Sequence, residues 1–292
     1  MKENTTASEI NYFVLQENRN TAVYYNSDFV YKYLKKETIK NREVQINKKI
    51  RLSRKNNNDR LLYDLYTHES DRKKSVKFEK GVVMKFEKGV CDLFTYMDEM
   101  EKEIDSDLLL YITREMAMSV KQLHVMGYTH LDISLENFII MSNGRIKLCD
   151  FGLSRKTKEI KGYVVPVSKS DYAPFEMKMK KKIKNPEKID SYSLGVCVFY
   201  LFLRCQLKDV TLNILQRYGV KELCLQYEKY TEKDTHLERL SFILEYIINR
   251  TIVTSSKKRL GIDCILSVIG NLKVYDKSDE IIESIFPSDF SN

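Results

Sequence analysis

No tryptophan occurs among the 292 residues, and both glycine (10) and proline (4) are scarce. No glycine precedes Gly81. That absence excludes from the first quarter of the chain a glycine-rich turn whose backbone amides close around a phosphate, because side chains block so close an approach. Long apolar runs are missing as well: the most apolar stretch, Leu194 to Leu203, is too short to span a bilayer and reads as a buried helix. The start, Met1 to Thr6, lacks the apolar block of a secretory signal. The six cysteines form no Cys-x-x-Cys pair and the four histidines are scattered. This argues against a structural metal site or a disulfide framework, and for the reduced thiols of a cytoplasmic protein. No internal repeat at solenoid periods is found.

What is present suffices for a full core: hydrophobic residues make up 43% of the chain, so it does not belong among disordered sequences. The net charge of +8 permits an anionic partner without requiring one. No nucleic-acid motif accompanies it, so a solvated basic surface is the simpler reading. The length allows one large domain or two lobes.

The most informative segment is Tyr128-Thr-His-Leu-Asp-Ile-Ser-Leu-Glu-Asn-Phe-Ile-Ile140, followed by Lys147-Leu-Cys-Asp-Phe-Gly152. Asp132 and Asn137 fall in one loop. A predicted hairpin, Phe138 to Met141 and Ile146 to Cys149 around the turn Ser142-Asn-Gly-Arg145, returns the chain to Asp150. The spacing suits phosphoryl transfer. That chemistry needs one carboxylate to receive a hydroxyl proton, with an amide oxygen and a second carboxylate for magnesium, which prefers hard oxygen ligands.

Upstream, three strands are predicted: Tyr12 to Leu15, Thr21 to Tyr25 and Phe29 to Leu34. In the third, alternation puts Val30, Lys32 and Leu34 on one face. A lone lysine there needs a partner or an edge position, because burying an unpaired ammonium is costly. In the next predicted helix, Ile39 to Ile50, Glu43 falls on the inward stripe with Ile39, Ile46 and Ile50. A Lys32–Glu43 pair accounts for both anomalies, with Lys35 or Lys36 as substitutes for Lys32. After a poorly defined region, Leu61 to Phe78, Gly81 to Gly89 reads as a strand ending in a connector, and Asp92 opens a helix. A further helix carries Leu109, Ile112, Met116, Val120 and Leu123, with Asp105 or Ser106 as its N-cap.

The order and spacing of His-x-Asp-x-x-x-x-Asn and Asp-Phe-Gly resemble the catalytic core of eukaryotic protein kinases. The resemblance implies an α+β fold of two lobes: a small β-rich lobe with one helix over residues 9–86 and a mainly helical lobe over 87–275, with 276–292 as a tail. It implies ATP and magnesium as cofactors and Asp132 as the group that orients and accepts the substrate hydroxyl's proton. Asn137 and Asp150 hold the metal, and Lys32 grips phosphate with Glu43 as its partner. Around the nucleotide it places Val30, Met84, Lys85, Phe86, Glu87, Ile139 and Cys149. It gives structural roles to His130, Phe151, Gly152, Glu176, Asp190 and Arg259, with Glu176 and Arg259 as a buried ion pair and Asp190 anchoring the catalytic loop.

Several positions depart from the family. The glycine-rich loop is missing, and Asn47 stands where an apolar residue is usual. Leu131 replaces the arginine that receives a phosphorylated activation loop. Ser134 replaces the lysine that steadies the transferred phosphate, a loss on the order of 1–3 kcal/mol in transition-state stabilisation. Tyr172-Ala-Pro-Phe-Glu176 keeps the length but not the sequence of the substrate-docking ending. The run Lys178, Lys180, Lys181, Lys182 and Lys184 suits an acidic protein substrate or, more simply, a solvated loop. The expected activity is therefore that of a divergent, slow Ser/Thr protein kinase. The alternatives are a pseudokinase that binds nucleotide or a partner, and a kinase of small molecules.

Overall fold

The computed structural model of the chain describes residues 13–53, 60–70, 80–99, 106–206, 240–270 and 276–285. Tyr12, Phe78, Asp105, residues 9–11 of the expected first lobe, and 286–292 of the expected tail lie outside the described residues, as do the thiols of Cys205 and Cys224. The chain divides into two compact units, Met1–Asn57 with Leu62–Lys88, and Asn58–Leu61 with Gly89–Asn292. The first is built on a sheet and the second mainly on helices, so the α+β expectation holds.

In the first unit, β1 (Phe13–Glu17), β2 (Thr21–Tyr25), β3 (Phe29–Lys35), β4 (Tyr66–Ser70) and β5 (Gly81–Glu87) form an antiparallel sheet in the order β1-β2-β3-β5-β4. The two-residue period of the strands sorts the side chains cleanly. Leu34, Val82 and Met84 pack on one face with Val44 of helix α1 (Arg42–Ser53), and Ala22, Tyr33 and Val83 cluster separately. Ile46 and Ile50 are buried as the helical spacing requires, but Ile39 is 48% exposed. The helix starts later than the apolar pattern suggests. Asn41 caps it: its Oδ1 accepts the Glu43 amide at 2.8 Å and its carbonyl accepts the Gln45 amide at 3.0 Å. Ile39 is thereby left in the connection before the first turn.

Asn47 is buried without being orphaned. Its Nδ2 donates to the Glu43 carbonyl at 3.0 Å, and its Oδ1 accepts the Asp64 amide at 3.2 Å. Asp64, fully buried, takes Arg51 at 2.7 Å and the Thr67 hydroxyl on its Oδ2. A polar position where an apolar residue is usual thus ties α1 to the segment before β4, and its hydrogen bonds offset its burial.

The second unit is organised around α3 (Ser106–Val125), whose Leu109, Ile112, Met116, Val120 and Leu123 are all buried. Before it come β6 (Cys91–Asp92) and α2 (Leu93–Glu99), with Asp92 accepting the Thr95 amide at 2.9 Å as an N-terminal cap. After it, β7 (Tyr128–Thr129), the 3₁₀ turn Leu135–Asn137, β8 (Phe138–Ile140), β9 (Ile146–Leu148) and β10 (Arg155–Lys156) frame the segment that carries Asp132, Asn137 and Asp150. The predicted hairpin is β8–β9, and Gly144 takes the left-handed conformation its turn requires (φ 71°). Two short helices follow, α4 (Thr157–Ile160) and α5 (Phe175–Lys178). The remaining helices among the described residues are α6 (Glu187–Gln206), α7 (Leu240–Thr251), α8 (Ile262–Gly270) and α9 (Ser278–Ile285). Helix α9 lies in the expected tail; its Ile281 is fully buried, and Ser278 abuts Gly144 of the hairpin turn.

Helices α6 and α7 meet at Gly195, where an added Cβ would collide with the Thr251 side chain. Thr251 cannot turn away cheaply, because its hydroxyl donates to the Ile247 carbonyl at 2.7 Å and also reaches that of Ile248 at 3.2 Å. Alanine offers about 1 kcal/mol of helix propensity, while overpacking costs about 1–3 kcal/mol. Gly195→Ala is therefore expected to lower the melting temperature. A melting temperature equal to or above wild type would show that α7 yields freely.

Candidate active site

Lys32 and Glu43 are eleven residues apart and meet in the first unit, Lys32 Nζ to Glu43 Oε1 at 2.7 Å. Lys32 lies mid-strand, between Val23 on β2 and Met84 on β5. Glu43 stands in the first turn of α1, where the amide dipoles favour a carboxylate. The short separation is met by a connection of only six residues between β3 and the helix, with Lys36 in a left-handed conformation (φ 62°). Lys35 is engaged elsewhere, donating to Glu17 Oε1 at 2.6 Å and to the Asn18 carbonyl at 2.8 Å.

The β1–β2 turn is built from side-chain hydrogen bonding in place of glycine. Asn18 Oδ1 accepts the amides of Asn20 and Thr21 at 2.9 and 2.8 Å, so those two donors are already used within the turn. Met84 is fully buried, while Lys85, Phe86 and Glu87 continue β5 opposite Tyr31, Val30 and Phe29. The Lys85 carbonyl accepts the Leu65 amide at 2.6 Å, and the Lys85 ammonium sits 3.4 Å over the Phe29 ring.

In the second unit the loop from His130 to Asn137 is fastened at several points. Asp190, fully buried on α6, accepts the backbone amides of His130 (2.8 Å) and Leu131 (2.9 Å), and His124 Nε2 lies 2.7 Å from the same carboxylate. His130 Nε2 is 3.0 Å from the Cys149 carbonyl and its ring stands edge-on to Phe151. Asn137 Nδ2 donates to the Asp132 carbonyl at 2.7 Å, which leaves its amide oxygen as the atom a hard cation would take. The Asn137 carbonyl accepts the Cys149 amide at 2.9 Å, coupling the loop to the approach to Asp150. Ile139 pairs with Asp92 and Lys147 in its sheet.

Two residues here hold left-handed backbone without being glycine: Leu131 (φ 70°) and Asp150 (φ 58°). Such conformations persist where the surroundings over-determine them, commonly at functional sites. Asp150 is exposed, and its Oδ1 accepts the Gly152 amide at 3.3 Å. Asp132 is partly buried, and burial raises its carboxyl above the ordinary range. Lys169, His130 and the Ser168 hydroxyl pull it back, and the Asp150 charge adds to the rise. Among the described residues no cluster of three or more His, Cys, Asp or Glu could hold a resident metal. An amide oxygen and one carboxylate fit magnesium that arrives with phosphate oxygens and water in the rest of its shell.

Leu131 does more than replace a cation. It is buried with Ile160, Val165, Ala173, Met177, Ile183 and Ile189, so the segment after Asp150 is held to the His130–Asn137 loop by apolar burial. Glu176 and Arg259 form a bidentate pair at 2.8 and 3.1 Å. Lys178, Lys180, Lys181, Lys182 and Lys184 are all exposed.

Lys169, which motif reading passes over, is the residue that the fold adds. Its ammonium donates to Ser134 Oγ at 2.6 Å and lies 3.3 Å from Glu136 Oε1. The only signal for it in the sequence is a lysine between two serines, Ser168 and Ser170, shortly before Glu176.

A β-sheet unit with a strand lysine and helix glutamate, followed by a helical unit with an Asp-Asn loop and a hairpin to Asp-Phe-Gly, defines a phosphotransferase core. The chain belongs to the protein kinase family: the protein kinase domain matches residues 19–268. It is 27% identical to the serine/threonine-protein kinase MRCK beta of Homo sapiens over 176 residues, 58% of this chain and 10% of that protein. It is 33% identical to Citron Rho-interacting kinase of Homo sapiens over 93 residues, 31% of this chain and 4% of that protein. The serine/threonine-protein kinase MRCK gamma of Homo sapiens is 33% identical over 116 residues, 38% of this chain and 7% of that protein. The chain therefore spans a tenth or less of the length of these curated relatives. Among the described residues no helix is long and apolar enough to cross a membrane.

Proposed function

We propose that this chain is an active protein kinase that uses Mg-ATP to phosphorylate Ser and Thr hydroxyls of protein substrates, and that it does so slowly. The observation that carries the reading is the fastening of the His130–Asn137 loop. Two backbone amides bonded to Asp190, and Asn137 bonded to the Asp132 carbonyl, hold in place a carboxylate that burial disfavours. A perturbed carboxylate kept in position at a structural cost supports a working role for Asp132.

Bound Mg-ATP supplies the phosphoryl group and neutralises its oxygens. In that complex Asp132 accepts the proton of the acceptor hydroxyl. Asn137 Oδ1 and the Asp150 carboxylate are the oxygens that hold magnesium, and Lys32, oriented by Glu43, meets phosphate charge. The exposed lysine run after Glu176 favours acidic residues near the acceptor.

A pseudokinase reading has one observation in its favour: Asn18 consumes the turn amides that would otherwise face phosphate. It leaves the retained Lys32, Glu43, Asp132, Asn137 and Asp150 without a purpose. The test is transfer from labelled Mg-ATP to generic protein substrates, followed by phosphoamino-acid analysis, with Asp132→Asn and Asp150→Asn alongside. Label on Ser and Thr that both substitutions abolish is the expected result; equal signal from all three proteins would sink the enzyme reading.

A further inference from the structure

We propose that Lys169, contributed by the segment after Asp150, supplies the cation that the catalytic loop lacks at position 134 and holds the transferring phosphoryl group beside Asp132. The proposal rests on the kinase activity inferred above. Its starting point is a reciprocal arrangement of two side chains far apart in sequence. Ser134, two residues past Asp132, is fully buried and short, so it brings no charge of its own. Lys169 reaches it from 35 positions downstream and donates to its hydroxyl at 2.6 Å. The ammonium thus sits at the end of the Ser134 side chain, one hydrogen bond beyond the loop.

Ordinary packing does not account for this placement. The companion contact, Lys169 to Glu136 at 3.3 Å, joins side chains that are 33% and 37% exposed. An ion pair that exposed adds little stability, set against the rotamer freedom a lysine loses when it is fixed. Lysine carries three N–H donors. Ser134 and Glu136 engage two of them, and no described residue takes the third. Lys169 also lines, with Asp132, Leu131, Ile133, Ser168 and Tyr172, a small cavity beside the Asp132 carboxylate, with room for about one water. A cation with a spare donor, held beside the proton acceptor by Ser134 and Glu136, is placed to meet developing negative charge on a phosphoryl group.

The step balances without a change at Lys169. The acceptor oxygen forms a bond to the γ-phosphorus while its proton passes to Asp132. The bond from phosphorus to the β–γ bridging oxygen breaks, and its electron pair leaves with ADP. Lys169 stays protonated throughout and donates a hydrogen bond to a non-bridging oxygen, more strongly as charge builds there. Ser134 and Glu136 aim the ammonium.

The experiment compares wild type with Lys169→Met, Lys169→Arg and the exchange Ser134→Lys/Lys169→Ser in steady-state transfer from Mg-ATP, with melting temperatures for all four. Lys169→Met is expected to lower kcat about 100-fold, with the KM for ATP and the melting temperature close to wild type. At least tenfold of that loss should return in Lys169→Arg or in the exchange variant, which puts the ammonium back on the loop. Lys169→Met at the wild-type rate overturns the assignment and leaves the kinase reading intact. A loss that neither rescue variant recovers also overturns it, because the lysine would then be holding the segment and not the phosphate. If wild type itself transfers nothing, the kinase reading falls and this assignment with it.

Discussion

Asp132→Asn is expected to slow phosphoryl transfer by about 10²–10⁴-fold, the usual worth of a positioned general base, and at the same time to raise the melting temperature at neutral pH. The first effect follows from removing the proposed proton acceptor while keeping its shape. The second follows from the cost of the native carboxylate. Burial is the largest influence on Asp132 and raises its folded pKa, with Asp150 adding to the rise and Lys169 and His130 opposing it. A carboxyl whose folded pKa exceeds its unfolded value, about 3.9, contributes its stability below that unfolded value and loses it as pH rises through the folded one. At pH 7 the charge is therefore a net burden on the fold, which asparagine lifts. Melting curves without magnesium should show the variant above wild type at pH 7, with the gap narrowing toward pH 4. A variant that melts below wild type at pH 7, or a gap that widens on acidification, would contradict the account. The pairing of lost activity with gained stability separates a functional carboxylate from a structural one, whose removal costs both.

Arg259→Ala is expected to destabilise the helical unit by about 3–5 kcal/mol, because it leaves a partner carboxylate and two carbonyls without their cation. The Arg259 side chain is fully buried, and its guanidinium is shared among four acceptors. Nη1 donates to Glu176 at 2.8 Å and to the Lys188 carbonyl at 2.7 Å; Nη2 donates to Glu176 at 3.1 Å and to the Val253 carbonyl at 3.0 Å. The Tyr192 ring lies 5.0 Å from the guanidinium carbon. In a unit of this size such a loss corresponds to a fall of about 6–20 °C in melting temperature. Lysine cannot replace the planar fork, so Arg259→Lys should recover little. The double substitution Glu176→Met/Arg259→Met should be milder than Arg259→Ala, since exchanging a whole buried pair for apolar side chains removes both charges together. A double variant as unstable as Arg259→Ala would show that the bonds to Lys188 and Val253, and not the ion pair, carry the stability.

Most of the local elements are legible in the chain. Strands β2 and β3 and the β8–β9 hairpin stand where alternation and turn residues put them, because a strand's facing and a turn's backbone are set by neighbours one to four residues away. The buried stripe of α3 follows for the same reason. The start of α1 was not legible from its apolar pattern. Ile39 fits the helical period, but the cap bond of Asn41 begins the helix after it, and a single side-chain hydrogen bond leaves no periodic trace. Lys32 and Glu43 drew notice only because each was out of place on its own element; the structure brings them to 2.7 Å. The Glu176–Arg259 pair, 83 positions apart, had no local signal at all and came from the resemblance alone.

By itself, then, the sequence determined the kinase family, the order of sheet unit and helical unit, and the spacing of Asp132, Asn137 and Asp150. Each is written in residues close together or in a fixed sequential order. Tertiary structure alone decided what surrounds them. It gave Asn47 its partner in Asp64, made Leu131 part of an apolar anchor, turned the glycine-free β1–β2 connection into a turn closed by Asn18, and set the Lys169 ammonium on Ser134. The physical reason is the same in each case. A hydrogen bond or a buried contact between distant residues depends on where the backbone carries both ends, and no periodicity or short motif encodes that distance.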